Sequence, residues 1–161
     1  MAVDMFIKIG PLDGESKDHK KKGEIDVLAW SWGCSNSGTW HHGGGGGAGK
    51  ANYQDLSITT YIENSTSALL QACGTGEHFD DATLTVRKAG KKPLEYLVIK
   101  MKKILVTSVS FGGSGGEERL TQNVTLNFAE IEWTYKEQKD DGSGGPDKKF
   151  AFDIEANEDK S

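Results

Sequence analysis

The stretch Asn123-Val124-Thr125-Leu126-Asn127-Phe128 (NVTLNF), continued as alternation to Tyr135, decides the fold. Its apolar residues Val124, Leu126 and Phe128 fall at every second position, with Asn123, Thr125 and Asn127 between them. A period of two is that of an extended strand with one face in a core and the other in water. The pattern leaves open whether the polar face is an inner wall, an outer wall or a seam between copies.

Working outward from there, the same period recurs along most of the chain. Val3, Met5, Ile7 and Ile9 alternate with Asp4 and Lys8, and Gly10-Pro11 ends that strand. Ile25 to Trp32 is a second strand, with Leu28, Trp30 and Trp32 on one face and Ala29, Ser31 and Gly33 on the other. The large side chains are expected in the core, and the small ones against something that excludes bulk. Tyr53 to Tyr61, the alternation at Leu84 and Val86, Leu94 to Met101, Ile104 to Phe111 and a short strand near Phe150 to Ile154 complete seven or eight strands. One helix interrupts them, over about residues 64–73, with Ala68, Leu69, Ala72 and Cys73 on one face and Gly74 closing it. Many short strands with turn signals predict a mainly β fold. We expect a barrel-like pair of packed antiparallel sheets, one flanking helix and a long glycine-rich loop.

The length of 161 residues suits one domain spanning 1–161, with the tail after about 138 partly flexible. Twenty-one glycines against three prolines indicate turns and close backbone approaches, not a Pro/Gly linker. The net charge of −5 argues against nucleic acid as a partner. Lys17 to Lys22, the one basic run, reads as a solvated loop. Cys34 and Cys73 are too few for a disulfide framework and fit a reduced, cytosolic origin. Met1 leads straight into a strand, without a basic and then apolar leader, and no apolar run reaches the roughly 20 residues of a membrane helix. The expectation is synthesis in the cytoplasm, no membrane insertion, and any export without a cleaved signal.

The search for chemistry returns little. Gly44 to Lys50 satisfies G-x-x-x-x-G-K, but Ala51 stands where a hydroxyl must hold Mg²⁺, and a strand follows where a phosphate-binding loop needs a helix. His41 and His42 are adjacent, so an extended backbone points them apart, and neither His19 nor His78 lies at ligand spacing. Ser114, in Gly112-Gly113-Ser114-Gly115-Gly116, lacks the strand-to-helix setting of a nucleophile. Asp80-Asp81, Glu117-Glu118 and Asp140-Asp141 are loop charges. No catalytic, cofactor-binding or metal-ligating residue is assigned, and no cofactor is expected. What is left is a β scaffold with polar strand faces and two glycine-rich loops, the profile of a building block that meets copies of itself.

Several blocks in order resemble the Hcp family of type VI secretion tube proteins. They are MAVDMFIKIG (1–10), GESKD (14–18), EIDVLAWSWG (24–33), GGGGGAGK (43–50), QDLS (54–57), LTVRKAG (84–90) and GGSGGEERLTQNVTLNFA (112–129). The resemblance implies a non-enzymatic subunit forming a homohexameric ring. Rings stack into a tube inside a contractile sheath, with the spike protein VgrG at the tip, and the whole is exported. It also implies that the ring lumen holds effector proteins. Ser31 and Ser114 are the candidates for lumen-facing effector contact. The candidate loop for contact between subunits or rings contains Gly43, Gly44, Gly45, Gly46, Gly47, Gly49 and Lys50. The competing readings are a phage-type tail tube, a stand-alone β-sandwich binding module using Trp30, Trp32 or Trp40, and a hydrolase using Lys50 or His41.

Overall fold

The computed structural model describes residues 3–38, 40 and 49–161. Its elements run β1 (Val3–Ile9), β2 (Ile25–Ser31), β3 (Cys34–Ser35), β4 (Asn52–Tyr53), β5 (Leu56–Tyr61) and α1 (Thr66–Thr75). They continue as β6 (His78–Lys88), β7 (Leu94–Gly112), β8 (Thr121–Asn127), β9 (Glu130–Gln138), β10 (Gly144–Asp153) and β11 (Glu158–Asp159).

The main sheet has 9 strands in the order β11-β10-β9-β7-β6-β1-β2-β5-β8, and an added β7–β8 pairing closes the run from β7 to β8 into a six-stranded barrel. Every pairing is antiparallel. Closure depends on β7, whose 19 residues pair with β6 along one edge and with two strands in turn along the other. Leu97 to Lys102 pair with β9, and Leu105 to Gly112 pair with β8. Between them Lys103 takes φ 59°, a conformation an L side chain rarely adopts, and there this edge of the strand changes partner from β9 to β8. Its ammonium group is held by Glu155 Oε2 at 2.7 Å.

The core is built from the alternation read above. Val124, Leu126 and Phe128 are buried and their intervening neighbours are not. Ile7, Ile25, Leu56, Ile58, Leu84, Ile99 and Ile104 fill the barrel, and each is worth about 1.5–3 kcal/mol of burial. Helix α1 adds Leu69 and Ala72.

Four local expectations are corrected. Leu28 is exposed, because a bulge between Val27 and Ala29 inserts it as an extra residue and resets the alternation, so that Ile25, Val27 and Trp30 face inward instead. The helix spans Thr66–Thr75, and Gly76 rather than Gly74 ends it, with φ 76° and its amide donating to Ala72 O at 2.9 Å. Lys21 is not solvated: it bridges Glu95 at 3.2 Å and Glu24 at 3.8 Å, tying the loop over residues 10–24 down onto β6 and β7. The segment after residue 138 carries β10, longer than the short strand expected, and pairs with β9 along most of its length.

Candidate functional site

Because β2, β5, β8 and the second half of β7 lie side by side, their registers decide which residues share a face. Ser31 pairs with Ser57, Ser57 with Thr125, and Thr125 with Ser108. The neighbouring row on the same face reads Ala29, Thr59, Asn123 and Ser110. Cross-strand partners project to one side of a sheet. Two rows across four strands therefore form one surface of small, uncharged residues, all but one of them polar.

These side chains bond chiefly to one another. Ser108 and Thr107 each place a hydroxyl 2.6 Å from Thr125 Oγ1, Ser57 Oγ donates to Asn123 Oδ1 at 3.3 Å, and Asn123 Nδ2 donates to Thr59 Oγ1 at 3.2 Å. At the rim, Asp55 accepts from Thr107 Oγ1 at 2.8 Å and from Asn127 Nδ2 at 2.9 Å. Two rows of small uncharged side chains, several of them bonded to one another, offer a passing molecule neither ionic attraction nor a large apolar surface.

The structure brings Ser31 into this surface and does not bring Ser114 there. Ser114 lies in the exposed turn between β7 and β8, its carbonyl accepting from the Glu117 amide at 3.1 Å, just beyond the Gly112–Thr121 pair that ends the strands. Gly43 to Gly47, with His41 and His42, lie outside the described residues. Gly49 and the exposed Lys50 form the returning foot of that loop: the Gly49 amide reaches Ser37 O at 3.4 Å, and the chain then enters β4, a strand.

Ser57, Thr59, Ser108 and Ser110 escaped the sequence reading. Their signal was present as hydroxyl residues alternating with Leu56, Ile58 and Val109, but it gains meaning only once four strands are set in register.

The foot of the loop is anchored by aromatic side chains. Trp32 stacks on Tyr53 with centroids 6.1 Å apart and also meets Phe128 and Trp133 at 6.3 Å; Tyr53 meets Phe152 at 5.2 Å. Trp30 joins through Trp133 at 6.5 Å, and Trp32 Nε1 donates to Gln54 O at 2.9 Å. Trp30 and Trp32 thus serve packing rather than an open platform, while Trp40 is 82% exposed.

A separate cleft of about 460 Å³ is lined by Glu15, Lys17, Asp26, Tyr61, Glu63 and Arg119, with the Arg119 guanidinium 3.7 Å from the Tyr61 ring centroid. Burial pushes the Asp26 carboxyl up from its ordinary value. The two glutamates each accept from a backbone amide, Glu15 N donating to Glu63 Oε2 at 2.9 Å and Asn64 N to Glu15 Oε2 at 2.7 Å. Among the described residues no group of three or more His, Cys, Asp or Glu is placed to hold a metal, and no helix is long and apolar enough to cross a membrane. Cys34 is exposed and Cys73 partly buried, both as free thiols.

Comparison with known proteins agrees with this architecture. Residues 6–135 match the family described as Type VI secretion system effector, Hcp. A curated relative, protein hcp1 of Pseudomonas aeruginosa, is 60% identical over 160 residues, covering 98% of each chain. A solved structure of a type six secretion system protein superposes with a TM-score of 0.93 at 28% identity, over 99% of this chain and 100% of that one. The crystal structure of Hcp1 from Salmonella typhimurium gives 0.80 at 32% identity, over 99% of both. A closed six-stranded barrel with one helix, a family match over most of the chain and a relative identical at three positions in five lead to one conclusion: the chain belongs to the Hcp family of type VI secretion tube proteins.

Proposed function

We propose that this chain is a structural subunit of the type VI inner tube: six copies close into a ring, rings stack, and the tube is exported from the cell. The surface of Ser31, Ser57, Thr125 and Ser108, with its neighbouring row, lines the bore and holds or shields effector proteins. The observation that carries this reading is the uncharged polar wall. An export channel must neither bind its cargo irreversibly nor present apolar surface to water, and small self-bonded hydroxyls meet both demands. No activity on a substrate is assigned.

The remaining parts take places around that wall. The loop containing Gly43 to Gly47 reaches a neighbouring copy, since a ring needs a contact between two different surfaces whose rotation closes. Ser114, at the end of the same sheet, stands at the rim of the bore. The spike protein caps the tube and the contractile sheath surrounds it.

Size-exclusion chromatography with light scattering, followed by negative-stain imaging, tests the assembly: a hexameric ring with an open centre is expected. A monomer at every concentration overturns the proposal. Ser31→Trp is expected to leave rings intact and to reduce the effector protein that co-purifies with them. Unchanged retention removes Ser31 from the bore.

A further inference from the structure

Three lysines gather in one hollow of the surface without a carboxylate partner, against the sign of the whole chain. The turn over residues 89–93, between β6 and β7, carries Lys91 and Lys92. The loop over residues 10–24 returns over β6, where Asp18 meets Arg87, and its tip brings His19 and Lys20 to the same place. Lys91 and Lys92 thus join Asp18, His19, Lys20 and Arg87 around one concavity of about 360 Å³.

The acids in reach are already engaged. Arg87 binds both oxygens of Asp18, and its Nη2 also donates to Asp4 Oδ2 at 3.2 Å. Four cations, Lys20, Arg87, Lys91 and Lys92, therefore face two carboxylates. Lys20, Lys91 and Lys92 are exposed and form no salt bridge among the described residues. Asp141 lines a neighbouring cleft that shares Lys91 and Lys92, which reduces the positive surplus without removing it. In a chain of net charge −5, cations collected in a hollow focus a field that draws an anion there.

Arg87 supplies a second, independent sign. Among the described residues, its Nε is the buried side-chain nitrogen that has no hydrogen-bond partner. Buried polar groups nearly always have one. The Arg87 side chain is 5% exposed and forms part of the wall of the concavity, so an unused donor and three free ammonium groups belong to one place.

We propose that this concavity is an anion site for a compact free ligand carrying one or two phosphate groups. Lysine ammonium groups hold phosphate as point charges, and the His19 ring adds a nitrogen for hydrogen bonding. A free anion fits better than a lipid headgroup, because no exposed large hydrophobic residue lies on the loop or the turn to enter a membrane. The bound anion bridges two segments far apart in sequence, Lys20 on the loop and Lys91 and Lys92 on the turn, and stabilises the fold by mass action. The site belongs to the single chain and does not rest on the ring.

The test is isothermal titration calorimetry and thermal melting of the full-length chain with sodium phosphate, pyrophosphate and sulfate, at one ionic strength set with sodium chloride. Pyrophosphate is expected to bind at a single site and to raise the Tm, with phosphate weaker. Lys91→Gln with Lys92→Gln is expected to weaken pyrophosphate about tenfold, the effect of two exposed ion pairs. Lys20→Gln, on the other segment, is expected to weaken it about threefold, and it reads the same site should the double variant fail to fold. Lys100→Gln with Lys102→Gln, two exposed lysines that line a different cleft, is expected to leave binding unchanged. Vesicles of phosphatidylglycerol and phosphatidylcholine are expected not to sediment the chain. No binding of pyrophosphate, undiminished binding by the site variants, an equal loss in the Lys100 and Lys102 control, or a Tm that follows ionic strength alone would each overturn the site. Sedimentation with the vesicles in the absence of pyrophosphate binding would assign the lysines to a membrane headgroup and overturn the free-anion proposal as well.

Discussion

Arg87 and Asp18, 69 residues apart in sequence, meet in a two-pronged ion pair in which Nη1 donates to Oδ1 at 3.0 Å and Nη2 to Oδ2. The Arg87 side chain is 5% exposed, and its guanidinium lies 5.0 Å from the centroid of the Phe6 ring while also bonding Asp4 at 3.2 Å. This network pins the loop over residues 10–24 to the outer face of β1 and β6. Replacing Arg87 by Ala strands two carboxylates and opens a gap above Phe6. Asp18 and Asp4 retain some access to water, so the expected loss is about 2–3 kcal/mol, below the 3–5 typical of a fully buried pair. Chemical denaturation checks the magnitude. Arg87→Lys should recover little of it, because an ammonium group cannot make the paired contact.

The same pair sets a pH dependence. Arg87 and the amides of Lys20 and Lys21 hold the Asp18 carboxyl well below the usual carboxylate range. A group whose pKa is depressed by folding adds stability that is full above its unfolded value, about 3.9, and is lost as pH falls toward the folded value. Burial raises Glu24 and Asp26 instead, so their contributions run the other way, favouring the fold as they take up protons. The gap in stability between wild type and Asp18→Asn should therefore stay constant above about pH 5 and shrink below pH 4. A gap independent of pH down to pH 2 would mean that the pair carries no charge-dependent stability.

What could be read from the chain, and what could not, follows from the range of each interaction. The alternation of Val124, Leu126 and Phe128 is local, and it placed the buried face of β8, but it ran on to Tyr135 across Phe128 and Ala129, which separate β8 from β9. Leu28 failed because a bulge is decided by the partner strand, where Val27 sits opposite Thr60 and Ala29 opposite Thr59, and β2 alone holds no sign of it. Arg87 looked like an ordinary outward residue of a strand; its burial comes from a loop that returns over it from far away in sequence. In the candidate surface, Ser31 could be proposed from the small face of its own strand, whereas Ser57 and Ser108 required three registers to be known together. Ser114 was named for its glycine surroundings, which describe a turn and carry no information about which face a sheet presents.

Helix α1 separates two nearby glycines, of which the sequence reading takes Gly74 as the end. Gly74 lies inside the helix, and a Cβ added there meets nothing within 4 Å. Gly74→Ala should stabilise the protein by about 0.5–1 kcal/mol, the helix-propensity difference. Gly76 also has open space, but its φ of 76° is strained for any L side chain, so Gly76→Ala should cost about 1 kcal/mol. Paired thermal melts decide the order; equal shifts of the same sign would contradict the placement of the helix end at Gly76.

The aromatic cluster ties the foot of the glycine loop to the last long strand, and Trp133 on β9 meets both Trp30 and Trp32. Tyr53 on β4 and Phe152 on β10 close the other side. Burial of the Tyr53 ring pushes its hydroxyl pKa upward, in keeping with that packing. Trp133→Ala removes the ring that joins Trp30 to Trp32 while the strand ladder of β9 keeps its backbone partners. A fully buried tryptophan costs about 3–5 kcal/mol on truncation, and Trp133 is only partly covered, so about 2–3 kcal/mol is expected. The loss should not be spread evenly. Hydrogen exchange should quicken first at Cys34, Ser35, Asn52 and Tyr53, the two-stranded foot that depends on the cluster, while the barrel amides of β1 and β6 stay protected. Uniform acceleration across β1, β6 and the foot would show instead that the cluster belongs to the global core, and the loop would then lack an anchor of its own.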